Sequence, residues 1–178
     1  MDERFIGIGA WEIEEIPDGD SLYRHVHFSK YDKTDKFPLP DAFIPDPDGL
    51  SLYWEKYVPH VKEVYYLIGL SFTAKSKFKD HTGFLIFKIP KNNFIIIDGV
   101  QSVSHDPLQY AMPKVGRPNN RSHSLAIYDD SNLQVRQILS AYCRGNYKTC
   151  FCKFDLNSIN KELNELRDRL ENTPYHKH

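Results

Sequence analysis

Along residues 22–28, LYRHVHF, side chains two apart share one face of a strand. Tyr23, His25 and His27 therefore line one surface, and Leu22, Arg24, Val26 and Phe28 the other. Upstream, Trp11 and Ile13 alternate with Glu12 and Glu14 as in a half-buried strand, and the turn Pro17-Asp18-Gly19-Asp20 would let that strand form a hairpin with 22–28. The runs 83–89 and 94–98 are the clearest strands. They are joined by Pro90-Lys91-Asn92-Asn93, and their continuous apolar character predicts coverage on both faces. Residues 64–73, 123–128 and 148–154 add further β-rich stretches.

Helical signals are fewer. Residues 50–61 predict a short helix stopped near Pro59, 71–79 a short helix or loop with Lys75, Lys77 and Lys79 exposed, and 132–142 a third helix. The most regular pattern is C-terminal, where Leu156, Ile159, Leu163, Leu166 and Leu170 recur at helical spacing. Asp155 is placed to cap it, and Glu165 stands four residues before Arg169. That amphipathic helix, 155–171, is expected to dock on its own sheet, because two heptads are short for a coiled coil. Between these elements, 30–49 carries Pro38, Pro40, Pro45 and Pro47 and reads as a long ordered loop packed down by Phe37, Leu39, Phe43 and Ile44. Residues 101–121 form a second polar, turn-rich region, of the kind where sites sit, and 172–178 a loose tail. The expected fold is one α+β domain over 1–178. It has a mixed, largely antiparallel sheet of about five to seven strands, a Pro-rich loop and a C-terminal amphipathic helix.

Composition narrows the class. With 178 residues, 40% hydrophobic and 26% charged, the chain is long enough to bury a core and lies far from disordered compositions. Its 23 basic and 24 acidic residues leave a net charge of −1, so no global field points to nucleic acid. No apolar run approaches the roughly 20 residues of a membrane helix, and the start lacks a signal-peptide pattern, so a cytoplasmic protein is expected. Cys143, Cys150 and Cys152 do not match a zinc-finger spacing and read as reduced packing residues.

The candidate chemistry comes from two separated polar regions. One holds Arg24, His25 and His27; the other holds His105, Asp106, Arg117, Asn119, Asn120, Arg121 and His123. Imidazoles brought together could bind zinc or iron, but packing is favoured and no cofactor is implied. As catalytic groups, His25, His27 and His123 would exchange protons, while Arg24, Arg117, Asn119, Asn120 and Arg121 would bind a phosphate-containing ligand. There is no Walker loop, G-x-G-x-x-G, H-E-x-x-H or G-x-S-x-G.

Three resemblances attach to these residues. His27-Phe28-Ser29 resembles one H-x-[ST] motif of the two-histidine phosphoesterases, whereas His123-Ser124-Leu125 departs from the second motif at its third place. Leu22-Tyr23-Arg24-His25 resembles the early strand of ADP-ribosyltransferase-like folds that carries Arg or His, without the Glu motif on a late strand. The third set comprises Arg24-His25 with His27, Ala42-Phe43-Ile44-Pro45, Gly49-Leu50-Ser51-Leu52-Tyr53 and Arg121-Ser122-His123-Ser124-Leu125-Ala126-Ile127. Together these resemble a group of small bacterial proteins with an early His and with Ala-Phe-x-Pro, Leu-Ser-Val-Tyr-like and Pro-x-His-Ala-like elements. Leu52 and Ser124 depart from that group's Val and Ala. The resemblance carries no assigned chemistry and implies at most an accessory role, such as one in a defence operon. The leading expectation is therefore a protein-interaction or regulatory module with a protein partner, and the alternative a small histidine-dependent phosphodiesterase or nucleotide-processing hydrolase.

Overall fold

The computed structural model describes residues 11–70, 84–109 and 119–152, and positions 161, 162, 164, 165 and 168. In chain order its strands are β1 (Ser21–His27), β2 (Tyr31–Asp32), β3 (Phe37–Pro38), β4 (Leu50–Trp54), β5 (Phe84–Pro90), β6 (Ser102–His105), β7 (His123–Ile127) and β8 (Phe151–Cys152). Its helices are α1 (Val61–Leu70), α2 (Asn92–Ile95), α3 (Leu133–Gly145) and α4 (Tyr147–Cys150). Six strands make one sheet in the order β6-β7-β4-β1-β5-β8, with every ladder antiparallel, and β2 and β3 form a separate ribbon. The fold is α+β with an antiparallel sheet, as the strand patterns predict.

The strand period of two decides which side of the sheet is core. Leu22 and Val26 of β1, Leu50, Leu52 and Trp54 of β4, Phe87 and Ile89 of β5, and Ala126 of β7 project to one face and are buried there. Helix α3 covers that face with Val135, Leu139 and Cys143, a stripe at intervals of four, and Asn132 caps it by accepting the Val135 N–H at 3.2 Å. Ala42 and Phe43, in the 3₁₀ turn Pro40–Phe43, close the same core, and the Tyr128 hydroxyl donates to the Phe43 carbonyl.

Gly49 leads into β4 at φ +126°, and a Cβ there would stand 2.7 Å from Ile127 Cδ1 and 3.1 Å from the Ala126 carbonyl. Gly49→Ala is expected to destabilise the fold by about 1–3 kcal/mol, because a side chain at positive φ is strained and this one also meets backbone. Chemical denaturation would show it as a lower midpoint at constant slope.

Several segments differ from their sequence expectations. Residues 11–16 form no strand, so the hairpin with β1 is absent; β1 takes β4 and β5 as neighbours, and Ile13 is 76% exposed. Residues 50–54 are a strand rather than a helix, because Leu50 and Leu52 alternate with the half-buried Ser51 between β1 and β7. Val61–Leu70 is a helix rather than a strand: Val64 to Ile68 are all buried, and a helix covered on every side has the same apolar run as a buried strand. The Glu63 carboxylate accepts the His60 N–H at 3.3 Å, marking the start of α1.

The expected strand 94–98 is replaced by α2 and a turn. Phe94 and Ile97 are buried while Ile95 and Ile96 are exposed, a spacing of three that belongs to a helical turn. The region 30–49 is not loop throughout, since it holds the β2–β3 ribbon and the Pro40–Phe43 turn. Residues 148–154 hold the end of α4 and only a two-residue strand, which splits Cys150 from Cys152 between two elements. In the C-terminal segment, Lys161, Glu162, Asn164, Glu165 and Asp168 are helical and exposed; its apolar stripe, the 71–79 segment and the 172–178 tail lie outside the described residues.

Candidate functional site

The site begins with an interruption in the sheet. β1 pairs with β5 along all seven of its residues, but with β4 only at Leu22↔Trp54 and Tyr23↔Tyr53. Beyond that point β4 continues its ladder with β7, through Leu50, Ser51 and Leu52, while β1 diverges. Arg24 occupies the gap. Its Nε and Nη2 donate to the Ala42 carbonyl at 3.1 and 2.8 Å, and its Nη1 donates to the Ser51 carbonyl at 3.0 Å. A guanidinium thus supplies the donors that a continued ladder would have provided. Burial pulls its pKa below the ordinary arginine value, yet a guanidinium remains charged at neutral pH.

Register then assembles three side chains beside the gap. Tyr53 stands opposite His123, so Ser51 is the diagonal neighbour of His123 on the same face, within reach of its ring. His123 Nε2 lies 3.4 Å from Ser51 Oγ. On the other side, β6 pairs His105 with Ser124, which brings Asp106 opposite His123, and the Asp106 N–H donates to the His123 carbonyl at 2.9 Å. His123 Nδ1 is 2.7 Å from the Asp106 carbonyl and 3.2 Å from its Oδ2. Both are acceptors, so the proton belongs on Nδ1, and Nε2 presents its lone pair to the Ser51 hydroxyl. The result is a serine–histidine–aspartate relay on β4, β7 and the end of β6. The His123 side chain is 10% exposed and that of Asp106 45%.

The other predicted site residues distribute differently. His25 lies edge-on to Tyr53 with ring centroids 5.8 Å apart, and its pKa is lowered to about 3, first by burial and then by the Arg24 charge. At neutral pH it is an uncharged packing group. His27 serves the 3₁₀ turn Phe28–Lys30: its Nδ1 accepts the Ser29 N–H at 3.3 Å and lies 2.6 Å from Ser29 Oγ. That local cap accounts for the His-Phe-Ser spacing. Strand β4 stands between β1 and β7, so the backbones carrying His25 and His123 are about 10 Å apart across the sheet.

Asn119 and Asn120 are buried. Asn120 Oδ1 accepts the Ser122 N–H at 3.0 Å and the Ser122 hydroxyl at 2.7 Å, forming the turn that delivers His123 to β7. Arg117 lies outside the described residues. Asp106 lies in the polar region 101–121 that the sequence singles out, whereas Ser51 carries no sequence expectation beyond its place in the Leu-Ser-Val-Tyr-like element. Arg24 bonds the carbonyls of Ala42 and Ser51, and the Ser51 hydroxyl meets His123.

Arg121 belongs to a second polar cluster, which straps residues 11–16 to the body. Its guanidinium stacks 4.4 Å from the centre of the Tyr57 ring and reaches Glu14 at 3.5 Å, while Lys56 and the Tyr57 hydroxyl also bond Glu14. His105 is sealed between Trp54 and Tyr57. Its Nε2–H donates to the Arg121 carbonyl at 2.6 Å, and its Nδ1 accepts the Glu14 N–H at 3.1 Å. Hydrogen bonds from Lys56 and Tyr57 hold the Glu14 carboxyl down to about 2 from an ordinary 4.5. A depressed carboxyl pKa adds stability above its unfolded value, and that stability disappears as pH falls through the folded value. The melting temperature is therefore expected to fall between about pH 4.5 and pH 2. Glu14→Gln should flatten that slope, and an unchanged slope would remove Glu14 from the acid transition.

Among the described residues no group of three histidine, cysteine or carboxylate side chains is placed to hold a metal ion, and no helix is long and apolar enough to cross a membrane. Cys143 and Cys150 are buried, and burial pushes the Cys152 thiol up to about 11, away from thiolate chemistry. No known protein family matches the chain, and neither a similar curated protein nor a similar solved structure is found.

Proposed function

We propose that the face of the sheet formed by β4, β7 and the end of β6 carries the active site of a small hydrolase, with Ser51 as nucleophile, His123 as general base and Asp106 as the group that orients His123. The observation carrying this reading is the relay itself: Ser51 Oγ at 3.4 Å from His123 Nε2, with His123 Nδ1 committed to Asp106. Relay hydrogen bonds are commonly long without substrate and tighten in the complex. In the reaction, His123 Nε2 takes the Ser51 proton as Oγ bonds to the electrophile, then returns it to the departing group. Water repeats the sequence and frees Ser51. The imidazolium formed in between is stabilised by the Asp106 carboxylate. This reading retains His123 from the catalytic set expected from sequence and assigns His25 and His27 to packing and capping.

The test is covalent labelling with a fluorophosphonate probe, read by peptide mass spectrometry, beside turnover of p-nitrophenyl acetate and bis(p-nitrophenyl) phosphate. The expected result is a single adduct on the peptide containing Ser51, absent in Ser51→Ala. A folded protein that neither labels at Ser51 nor turns over either substrate would reject the hydrolase and return the chain to the regulatory-module reading, with a protein partner to be sought.

A further inference from the structure

Tyr53 shares the face of the sheet that carries the proposed relay. It stands two residues from Ser51 on β4 and directly opposite His123 on β7, so the three side chains leave the sheet on the same side. The Trp54 N–H donates to the Ser122 carbonyl at 2.6 Å, and the Asp106 N–H to the His123 carbonyl at 2.9 Å. Tyr53 and His123 are therefore a non-hydrogen-bonded pair of the β4–β7 ladder. In such pairs the facing side chains stand closest, with Cα atoms about 4.5 Å apart.

The Tyr53 ring leans toward the nucleophile. Tyr23↔Tyr53 is the last pair between β1 and β4, and the same register two residues on sets His25 across the gap from Ser51. Because the Tyr53 ring packs edge-on to His25, with centroids 5.8 Å apart, it is turned along β4 in the direction of Ser51. Its hydroxyl differs from those of other tyrosines in the fold. The Tyr128 hydroxyl bonds the Phe43 carbonyl and the Tyr57 hydroxyl bonds Glu14. The Tyr53 hydroxyl has no such acceptor among the described residues, and unlike that of Tyr65 it is not sealed in the interior, although the residue as a whole is 8% exposed. Burial pushes its pKa up to about 12, against the pull of the Arg24 charge, so the group keeps its proton wherever an imidazole base is active.

An uncharged donor beside a serine–histidine pair suits one class of substrate. A carbonyl oxygen that gains charge when serine adds to its carbon is met by the phenol as that charge develops. A phosphodiester would bring its charge with it and would face the Asp106 carboxylate. The neighbouring cations are turned elsewhere: Arg24 lies on the core face, Arg121 is engaged with Glu14 and Tyr57, and Lys88 is paired with Glu55.

We infer that Tyr53 is the oxyanion donor of this site and that the substrate is an uncharged carboxylic ester. The inference rests on the hydrolase reading and specifies its substrate class. Ser51 Oγ bonds to the ester carbon, its proton passes to His123 Nε2, and the carbonyl π pair moves onto oxygen, which accepts a hydrogen bond from the Tyr53 hydroxyl. Collapse of the adduct re-forms the C=O bond and breaks the bond to the alcohol, which leaves with the proton from His123. Water then attacks the acyl-serine by the same route, releasing the carboxylic acid and restoring Ser51. Tyr53 keeps its proton throughout.

The test uses Tyr53→Phe in the full chain, which keeps the ring against His25 and removes only the hydroxyl, so its melting temperature is expected to match wild type. On p-nitrophenyl acetate its kcat is expected to fall by about 10²–10³-fold with KM little changed. Phenylboronic acid, which closes on a serine hydroxyl as a tetrahedral adduct, is expected to inhibit the variant roughly tenfold or more less tightly than wild type. A kcat loss with unchanged boronic acid affinity would reduce Tyr53 to a positioning residue. If Ser51 of the wild type takes the fluorophosphonate label while Tyr53→Phe is as active as wild type, the inference is overturned and the hydrolase stands. Turnover of bis(p-nitrophenyl) phosphate that disappears in Ser51→Ala would overturn the substrate class. A wild type with neither a Ser51 adduct nor turnover would remove the hydrolase reading and this inference together.

Discussion

His123→Gln is expected to lower kcat by about 10²–10⁴-fold with KM nearly unchanged, the range set by loss of a positioned general base. Asp106→Asn should cost less, and the geometry gives the reason. His123 Nδ1 is held by the Asp106 backbone carbonyl at 2.7 Å as well as by the carboxylate at 3.2 Å, so the amide variant keeps the tautomer and loses only the charge that stabilises the imidazolium. A charged hydrogen bond of about 1.5–3 kcal/mol corresponds to roughly a 10–100-fold loss. Ser51→Ala combined with His123→Gln should be little worse than either alone, because the two residues act as one unit. Steady-state kinetics on the four variants checks the ordering. Additive losses would mean that Ser51 and His123 do not exchange a proton.

The largest effect on stability is expected at Trp54. Its side chain is 1% exposed, its ring packs edge-on to Tyr57 at 5.4 Å and to His105 at 5.1 Å, and its Nε1–H donates to Asp20 at 2.8 Å. It is the point where the core, the strap cluster and the turn before β1 meet. Trp54→Ala should remove about 3–5 kcal/mol by opening a cavity, a large share of the roughly 5–15 kcal/mol that holds a domain together. Trp54→Phe, which fills most of the space but drops the bond to Asp20, should lose much less. Urea denaturation at constant m separates the two variants. A loss below about 1 kcal/mol for the alanine variant would show that the strap and the core are not coupled through this residue.

Local pattern carried some elements and failed at others for physical reasons. α3 is readable because it has one buried and one exposed side, so its period appears in the sequence, and β1 and β7 are readable as runs of β-forming residues although none of their residues is exposed. α1 and the 94–98 segment were misassigned because burial on all sides, or a short turn filled with isoleucines, erases that period. β4 is misassigned although its alternation is present, because Trp54, Tyr57 and Val58 fall at helical spacing across the junction between the strand and the 3₁₀ turn Glu55–Tyr57.

The α+β class, the strand that presents Arg24 and His25 to opposite faces, and the place of His123 in a strand are legible in the chain alone. That Ser51, Asp106 and His123 meet is a property of the folded sheet, because their proximity is written in hydrogen-bond register between β4, β7 and β6 and not in any spacing along the chain. The same sheet turns Arg24 inward to span a break between strands and sets His25 and His27 apart from His123. A period of two tells which face a side chain takes, whereas the neighbour across the sheet depends on which strands pair and by how many residues they are offset.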